Sequence, residues 1–233
     1  MNTVITSVST DPWHNLALEE LLFTSGGEGT VLYLWQNRNT VVIGRNQNAW
    51  KECRADLLER EGGRLARRTS GGGAVFHDMG NLNFTFITPR GGYDLERQLG
   101  VILGAVRSQG IDAGFTGRND LVTAGGGKFS GNAFCFSRDR GLHHGTILVD
   151  VDMDKLSRYL VPSADKLRSK GVDSVRSRVA NLRELNPDIT IDSMTAAVEA
   201  ACTQIFSRSS LGSRAMAPLN SSSCRIMPLL SST

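Results

Sequence analysis

Two glycine runs, Gly71-Gly72-Gly73 and Gly125-Gly126-Gly127, interrupt stretches rich in β-branched and aromatic residues. Neither has the spacing of a dinucleotide fingerprint or a P-loop, and neither opens a helix. The chain therefore does not read as a regular strand–helix–strand repeat; its strands must turn back on one another around these loops. Asp11 as N-cap and Pro12 at the first helical position start a helix over 12–24, with Trp13, Leu16, Ala17, Glu20 and Leu21 in helical period. Strands are expected at 30–35 and 40–43, a helix at 51–61 and a strand at 65–68 leading into the first glycine run. Strands 74–76 and 82–88 flank a turn at His77 to Asn81. A helix over 94–109 places Leu95, Leu99, Ile102, Leu103 and Val106 on one face and stops at Gly110. Four strands follow, at 113–116, 120–123, 128–136 and 145–149. A short helix at 152–159 and a final one at 192–206, capped by Asp192, complete the pattern, while 165–183 shows no period. The fold class is α/β, with mixed, largely antiparallel sheets and packed helices.

The net charge of +3 is carried by the end of the chain. Residues 207–233 contain Arg208, Arg214 and Arg225 and no acid, leaving 23 basic and 23 acidic residues in 1–206. No broad nucleic-acid footprint is expected. No apolar stretch approaches the roughly 20 residues that cross a bilayer, so no membrane association is expected. Met1 to Asp11 has neither a basic region nor an apolar run, which reads as a cytoplasmic protein. Nine of the last 27 residues are serine, and 207–233 reads as an irregular tail.

Lys128 is one of only five lysines and follows the second glycine run, in Gly127-Lys128-Phe129-Ser130-Gly131-Asn132-Ala133. A lysine there reaches a phosphate or carboxylate as a compact point charge. The first run lies in Arg67-Arg68-Thr69-Ser70-Gly71-Gly72-Gly73-Ala74-Val75-Phe76-His77-Asp78. Arg68 offers a bidentate fork to phosphate oxygens, Ser70 offers a hydroxyl, and the glycine backbone closes on a ligand without a Cβ in the way. Two anion-binding loops in one domain point to a nucleotide. Asp120, after Gly117-Arg118-Asn119, is a candidate Mg²⁺ ligand, because magnesium takes one or two carboxylates beside phosphate oxygens. His77-Asp78 reads as an Asx-type turn rather than a catalytic pair. His143 and His144 are adjacent on a strand and point to opposite faces, so one lines a pocket while the other packs and no zinc site results. Cys53 and Cys135 read as small buried hydrophobes.

At these residues the chain resembles the bacterial lipoate–protein ligase A family, with the biotin/lipoate ligase-like catalytic fold. The resemblance runs from about 11 to 206 and rests on several motifs in order. They are Pro12 to Glu20, Val41 to Asn48, Arg67 to Asp78, Gly117 to Leu121, Lys128 to Ala133, His143 to Thr146 and Ser174 to Val179. It implies ATP-dependent conversion of lipoate to lipoyl-AMP, assisted by Mg²⁺. It also implies transfer of the lipoyl group to a lysine of lipoyl domains of 2-oxoacid dehydrogenase complexes or of the glycine-cleavage H protein. Lys128 then lies between lipoyl carboxyl and AMP phosphate. Arg68, Ser70, Gly73, Ala74, Val75, Phe76, Ser130 and His144 fall among the substrate and nucleotide contacts.

Two alternatives stay open: a cysteine-dependent octanoyltransferase, and an inactive fragment or binding module that keeps the adenylate pocket. Family members continue with the end of the catalytic domain and an accessory domain, whereas 207–233 resembles neither. Residues 1–206 are thus expected to be an incomplete catalytic domain, with a separate accessory subunit among its partners.

Overall fold

The structure, a computed structural model, describes residues 3–25, 27–116, 120–161 and 179–207. The irregular stretch at 165–178, the Ser174–Arg178 motif, Gly117 to Asn119 and the tail from 208 lie outside the described residues.

Among the described residues ten strands form two sheets. The strands are β1 (Thr3–Thr6), β2 (Val31–Trp35), β3 (Thr40–Ile43), β4 (Arg64–Arg67), β5 (Val75–His77), β6 (Asn81–Pro89), β7 (Ala113–Phe115), β8 (Asp120–Thr123), β9 (Lys128–Phe136) and β10 (Arg140–Leu148). Seven make one sheet in the order β1-β2-β6-β10-β9-β8-β7, and three make another in the order β4-β3-β5. Among the described strands, only the β1/β2 and β3/β4 pairs are parallel. The expectation of a mixed, mostly antiparallel α/β fold holds. The sequence reading missed β1, a Thr-Val-Ile-Thr run too short to stand out, and began β10 five residues late because Gly141 and two histidines mask its pattern.

The helices are α1 (Pro12–Ser25), α2 (Ala49–Glu52), α3 (Ala55–Arg60), α4 (Leu95–Ser108), α5 (Met153–Tyr159) and α6 (Ile191–Ser207). The helix expected over 51–61 is two short pieces. Cys53 is extended between them and bridges Leu160, and the chain re-enters a helix at Ala55. Asp94 caps α4 by accepting from Arg97 N at 3.0 Å. At α6 the cap is Thr190, not Asp192: Ser193 N donates to Thr190 Oγ1 while Thr190 N donates to Ser193 Oγ, both at 3.0 Å. This reciprocal pair is a capping box with serine in place of glutamate.

Strand β2 shows how the layers assemble. Leu32 and Leu34 pack with Phe84, Phe86, Ile102, Val106, Met194 and Val198, so α4 and α6 cover one face of the large sheet. Tyr33 and Trp35, pointing the other way, pack with Leu16 of α1 and with Val42 and Ala66 of the small sheet. Both faces of β2 are buried, which explains its unbroken apolar run.

Helix α1 is turned relative to the apolar count. Its buried stripe is Pro12, Asn15, Leu16, Glu19 and Phe23, whereas Trp13 and Leu21 are exposed. Trp13 instead lies under the Arg64 guanidinium, 5.4 Å from the ring centroid, and Arg64 also pairs with Asp11. Two polar residues on the inner face of a helix need partners, and those partners shape the site.

Candidate active site

Between α1, the small sheet and the large sheet lies a cavity of about 170 Å³. Asp120, Lys128 and Arg68 supply its charge; Leu16, Trp35, Val42 and Val75 supply apolar wall.

Lys128 Nζ lies 2.7 Å from Asp120 Oδ1, with both side chains about one third exposed. A β-bulge makes this geometry. Val122 pairs with Lys128 but Leu121 pairs with Ser130 and Asp120 with Gly131, so Phe129 is the extra residue. In a regular strand Lys128 and Gly131 would face opposite ways; the bulge brings both to the cavity. The lysine stem then runs over Gly131, where a Cβ would sit 3.2 Å from Nζ and 3.3 Å from Cε. Gly131→Ala should therefore push the ammonium aside by a few tenths of an ångström while leaving the fold intact. If Lys128 acts on the substrate, a matched melting curve and an acyl-transfer rate lowered by about tenfold are expected; an unchanged rate would show that the lysine's position is not critical.

The glycines before Lys128 play a different part from the one expected. They form the β8–β9 turn, closed by Thr123 N donating to Gly127 O at 2.9 Å, and do not line the cavity.

Arg68 is 8% exposed, and its fork grips the loop it precedes. Nη2 donates to Gly71 O and Gly73 O, each at 2.8 Å, Nε to Ser70 Oγ at 3.1 Å and Nη1 to Val42 O at 3.3 Å. Burial pulls its pKa down to about 10, against the opposing charge of Glu19. Gly72 sits at φ +97°, where a side chain is strained, and a Cβ there would stand 2.8 Å from Arg68 Nη2, so a larger residue would have to displace the clamp. Arg67 points the other way and ties the preceding turn through Gly44 O, Arg45 O and Gln47 O.

Behind the loop runs a buried relay. Ser70 Oγ is 2.6 Å from His144 Nε2; His144 Nδ1 is 2.8 Å from Glu19 Oε1; and Thr85 Oγ1 donates to that same oxygen at 2.5 Å. The order Ser–His–Glu resembles a hydrolase triad, but Ser70 is fully buried and does not reach the cavity. The relay instead ties the glycine loop to α1 and the large sheet. His144 lines the cavity while His143 packs among Phe84, Phe86 and Phe134, as the alternation of a strand requires.

The predicted residues thus divide. Arg68, Gly73, Ala74, Val75, Asp120, Lys128 and His144 line one cavity. Ser70 and Ser130 are buried beside it. The Phe76 side chain packs on Tyr159 in the small-sheet core and does not line the cavity. Glu19, Trp35, Asn83 and Asn132 were missed; the legible signal was Asn15 and Glu19, polar residues four apart on the inner stripe of α1. Cys53 lies in the small-sheet core and Cys135 packs with Phe23, Ile87 and Leu142, so neither reaches the cavity.

His77 also lines the cavity. The expected Asx turn is present one residue on, where Asp78 Oδ1 accepts from Gly80 N at 2.8 Å. Burial, with Arg68 and His144 adding, holds the His77 pKa down at about 3. A depressed histidine contributes stability that is complete above its unfolded value of about 6.5 and declines as pH falls toward 3. Urea unfolding of the wild type should weaken steadily from pH 6.5 to pH 4, and His77→Phe should flatten that slope by about one proton. Parallel slopes would show that His77 does not titrate this way.

Magnesium needs one or two carboxylates besides phosphate oxygens. Among the described residues no group of three or more metal-ligating side chains occurs, and Asp120 is the carboxylate lining the cavity. Asp120 fits as a single protein ligand to an ion carried on phosphates, once Lys128 releases it.

The fold is a mixed-sheet domain with one cavity lined by both charged and apolar side chains. The model of the lipoyl protein ligase A/B catalytic domain matches residues 11–203, and the chain belongs to that family. Over 213 residues it is 46% identical to lipoate-protein ligase A of Psychrobacter cryohalolentis, covering 91% of this chain and 62% of the relative. The chain spans about three fifths of the length of the curated relatives it matches, 62% and 56%. Among solved structures, P. falciparum LipL1 in complex with lipoate superposes with a TM-score of 0.77 at 30% identity, covering 89% of this chain and 62% of that one. A lipoate-protein ligase A bound with ATP gives 0.76 at 27% identity, covering 88% and 85%.

Proposed function

We propose that this chain activates lipoate with ATP to lipoyl-AMP and transfers the lipoyl group to a lysine of an acceptor protein. The observation that carries the reading is the cavity itself. Lys128 lines it beside the glycine loop that Arg68 holds closed, and Leu16, Trp35, Val42 and Val75 supply apolar wall. The carboxylate of lipoate sits at Lys128 and its chain runs along that wall. The Gly73 to Phe76 backbone and Arg68 face the adenylate, with Ser70, Ser130 and His144 supporting that wall. Lys128, released from Asp120, neutralises charge developing on the carboxyl and phosphate oxygens as the mixed anhydride forms and as the acceptor amine displaces AMP. Magnesium, held on the nucleotide's phosphates with Asp120 as its protein ligand, supplies charge neutralisation there. Acceptors are lipoyl domains of 2-oxoacid dehydrogenase complexes and the glycine-cleavage H protein, and a separate accessory subunit is a further candidate partner. The setting is the cytoplasm, and residues 1–206 belong to the catalytic domain. The chain of the P. falciparum structure binds lipoate and the second neighbour binds ATP, which supports both substrates.

The placement of the cysteines argues against the octanoyltransferase reading. Cys53→Ser and Cys135→Ser should leave transfer unchanged, because both sulfurs lie away from the cavity, and a thioester trapped on either would reverse that assignment. The direct test is lipoate-dependent release of pyrophosphate from ATP by the purified chain, beside transfer from supplied lipoyl-AMP. Transfer is expected at the higher rate. A folded sample inert in both reactions would leave only the binding-module reading.

A further inference from the structure

A single carboxylate oxygen joins two walls of the cavity. Tyr33, Thr85 and His144 lie side by side across β2, β6 and β10, and α1 sets Glu19 against this row. Trp35 Nε1 donates to Thr85 Oγ1 at 3.1 Å, and Thr85 passes its own hydrogen to Glu19 Oε1. His144 Nδ1 meets the same oxygen at 2.8 Å. The other ring nitrogen of His144 lies 2.6 Å from Ser70 Oγ, and Arg68 Nε donates to that hydroxyl at 3.1 Å. Trp35 and Arg68 both line the cavity, whereas Glu19 and Thr85 do not.

Chemistry fixes the direction of this chain at both ends. An indole N–H and a guanidinium can only donate, and an ionised carboxylate can only accept. The hydrogens of Thr85 and of His144 Nδ1 therefore converge on Glu19 Oε1. Glu19 and Thr85 are buried, so a donor released there has no bulk water to turn to. Hydrogen bonds to one ionised acceptor in a low-dielectric interior polarise one another and shift together. A ligand that fixes the Trp35 indole also fixes the oxygen on which His144, Ser70 and the Arg68 clamp depend. A ligand that fixes the clamp acts back on Trp35 by the same path. Whichever binds first bears the cost of ordering the shared oxygen, and the second is spared it.

We infer that Glu19 is a positioning residue that couples the two parts of the site, so that an acyl chain packed against Trp35 and a nucleotide at the loop held by Arg68 tighten each other's binding. This rests on the reading of the cavity as an acyl and nucleotide site given above. By linkage the coupling factor is the same whichever ligand binds first.

Calorimetry of the full chain with lipoate and with the unreactive nucleotide α,β-methylene ATP, each alone and each with the other saturating, tests it. In the wild type each ligand should tighten the other by about fivefold or more, equally in both orders. Thr85→Val keeps the side-chain shape and the Glu19 charge but cuts the link to Trp35, and the factor should fall to about one. Thr85→Ser keeps the hydroxyl and should restore the wild-type factor. Glu19→Gln should also lower it; if that variant fails to fold, the two Thr85 variants decide. A merely structural role would change the separate affinities or the melting temperature and leave the factor intact. Ligands that bind the wild type independently, or a factor that survives Thr85→Val, would overturn the inference while leaving the proposed function standing. A folded wild type that binds neither ligand would remove both.

Discussion

Lys128→Ala is expected to slow lipoyl transfer from preformed lipoyl-AMP by about 10²- to 10³-fold, the scale of losing one preorganised charge at a developing oxyanion. The substitution removes a partly exposed ion pair with Asp120, and such pairs add little to stability. Thermal unfolding should therefore barely move. The separation of the two readouts matters, since a lysine needed only for folding would lower both together. Asp120→Asn offers a contrast: it frees Lys128 from its counter-ion without removing the cation, so a far smaller loss of transfer is expected. A Lys128→Ala protein that transfers at a near-normal rate would place the catalytic charge elsewhere.

Arg68→Ala should be the most damaging change to the site as a structure. Four acceptors lose their donor at once, including two carbonyls of the glycine loop, and Glu19 loses a compensating buried cation. Removing one member of a buried, hydrogen-bonded charge arrangement costs about 3–5 kcal/mol. Urea unfolding should show a loss of that order, and calorimetry with a lipoyl-AMP analogue should show affinity reduced by at least about tenfold. Arg68→Lys should rescue little, because a single ammonium cannot span Gly71 O, Gly73 O and Ser70 Oγ as the planar fork does. Wild-type stability in Arg68→Ala would mean that the loop holds its shape without the clamp.

The sequence showed the order of elements and most of the site, and the reasons for its failures are specific. Periodicity located α4 within a residue at each end, because its apolar positions and Asp94 cap agree. It turned α1 the wrong way, because the face that packs carries Asn15 and Glu19, which count against burial on any hydrophobic scale. Their partners lie far off in sequence: Asn37 for Asn15, His144 and Thr85 for Glu19. The glycine runs were both legible as special, but not their different tasks. Gly71 to Gly73 is a loop gripped by an arginine, whereas Gly125 to Gly127 makes a hairpin turn. The Lys128–Asp120 contact depends on a one-residue bulge, which no local propensity encodes. His77 was read as part of a turn, since its neighbour Asp78 makes one; its place beside Trp35 comes from the pairing of β5 with β3.

The central claim, that this cavity hands an activated lipoyl group to a protein lysine, is tested most directly by intact-mass measurement of an apo lipoyl domain incubated with the chain and lipoyl-AMP. A mass increase of one lipoyl group, located on a single lysine, is expected to appear far faster with wild type than with Lys128→Ala. No modification beyond the uncatalysed background by a folded wild-type sample, or equal rates for the two proteins, would contradict it.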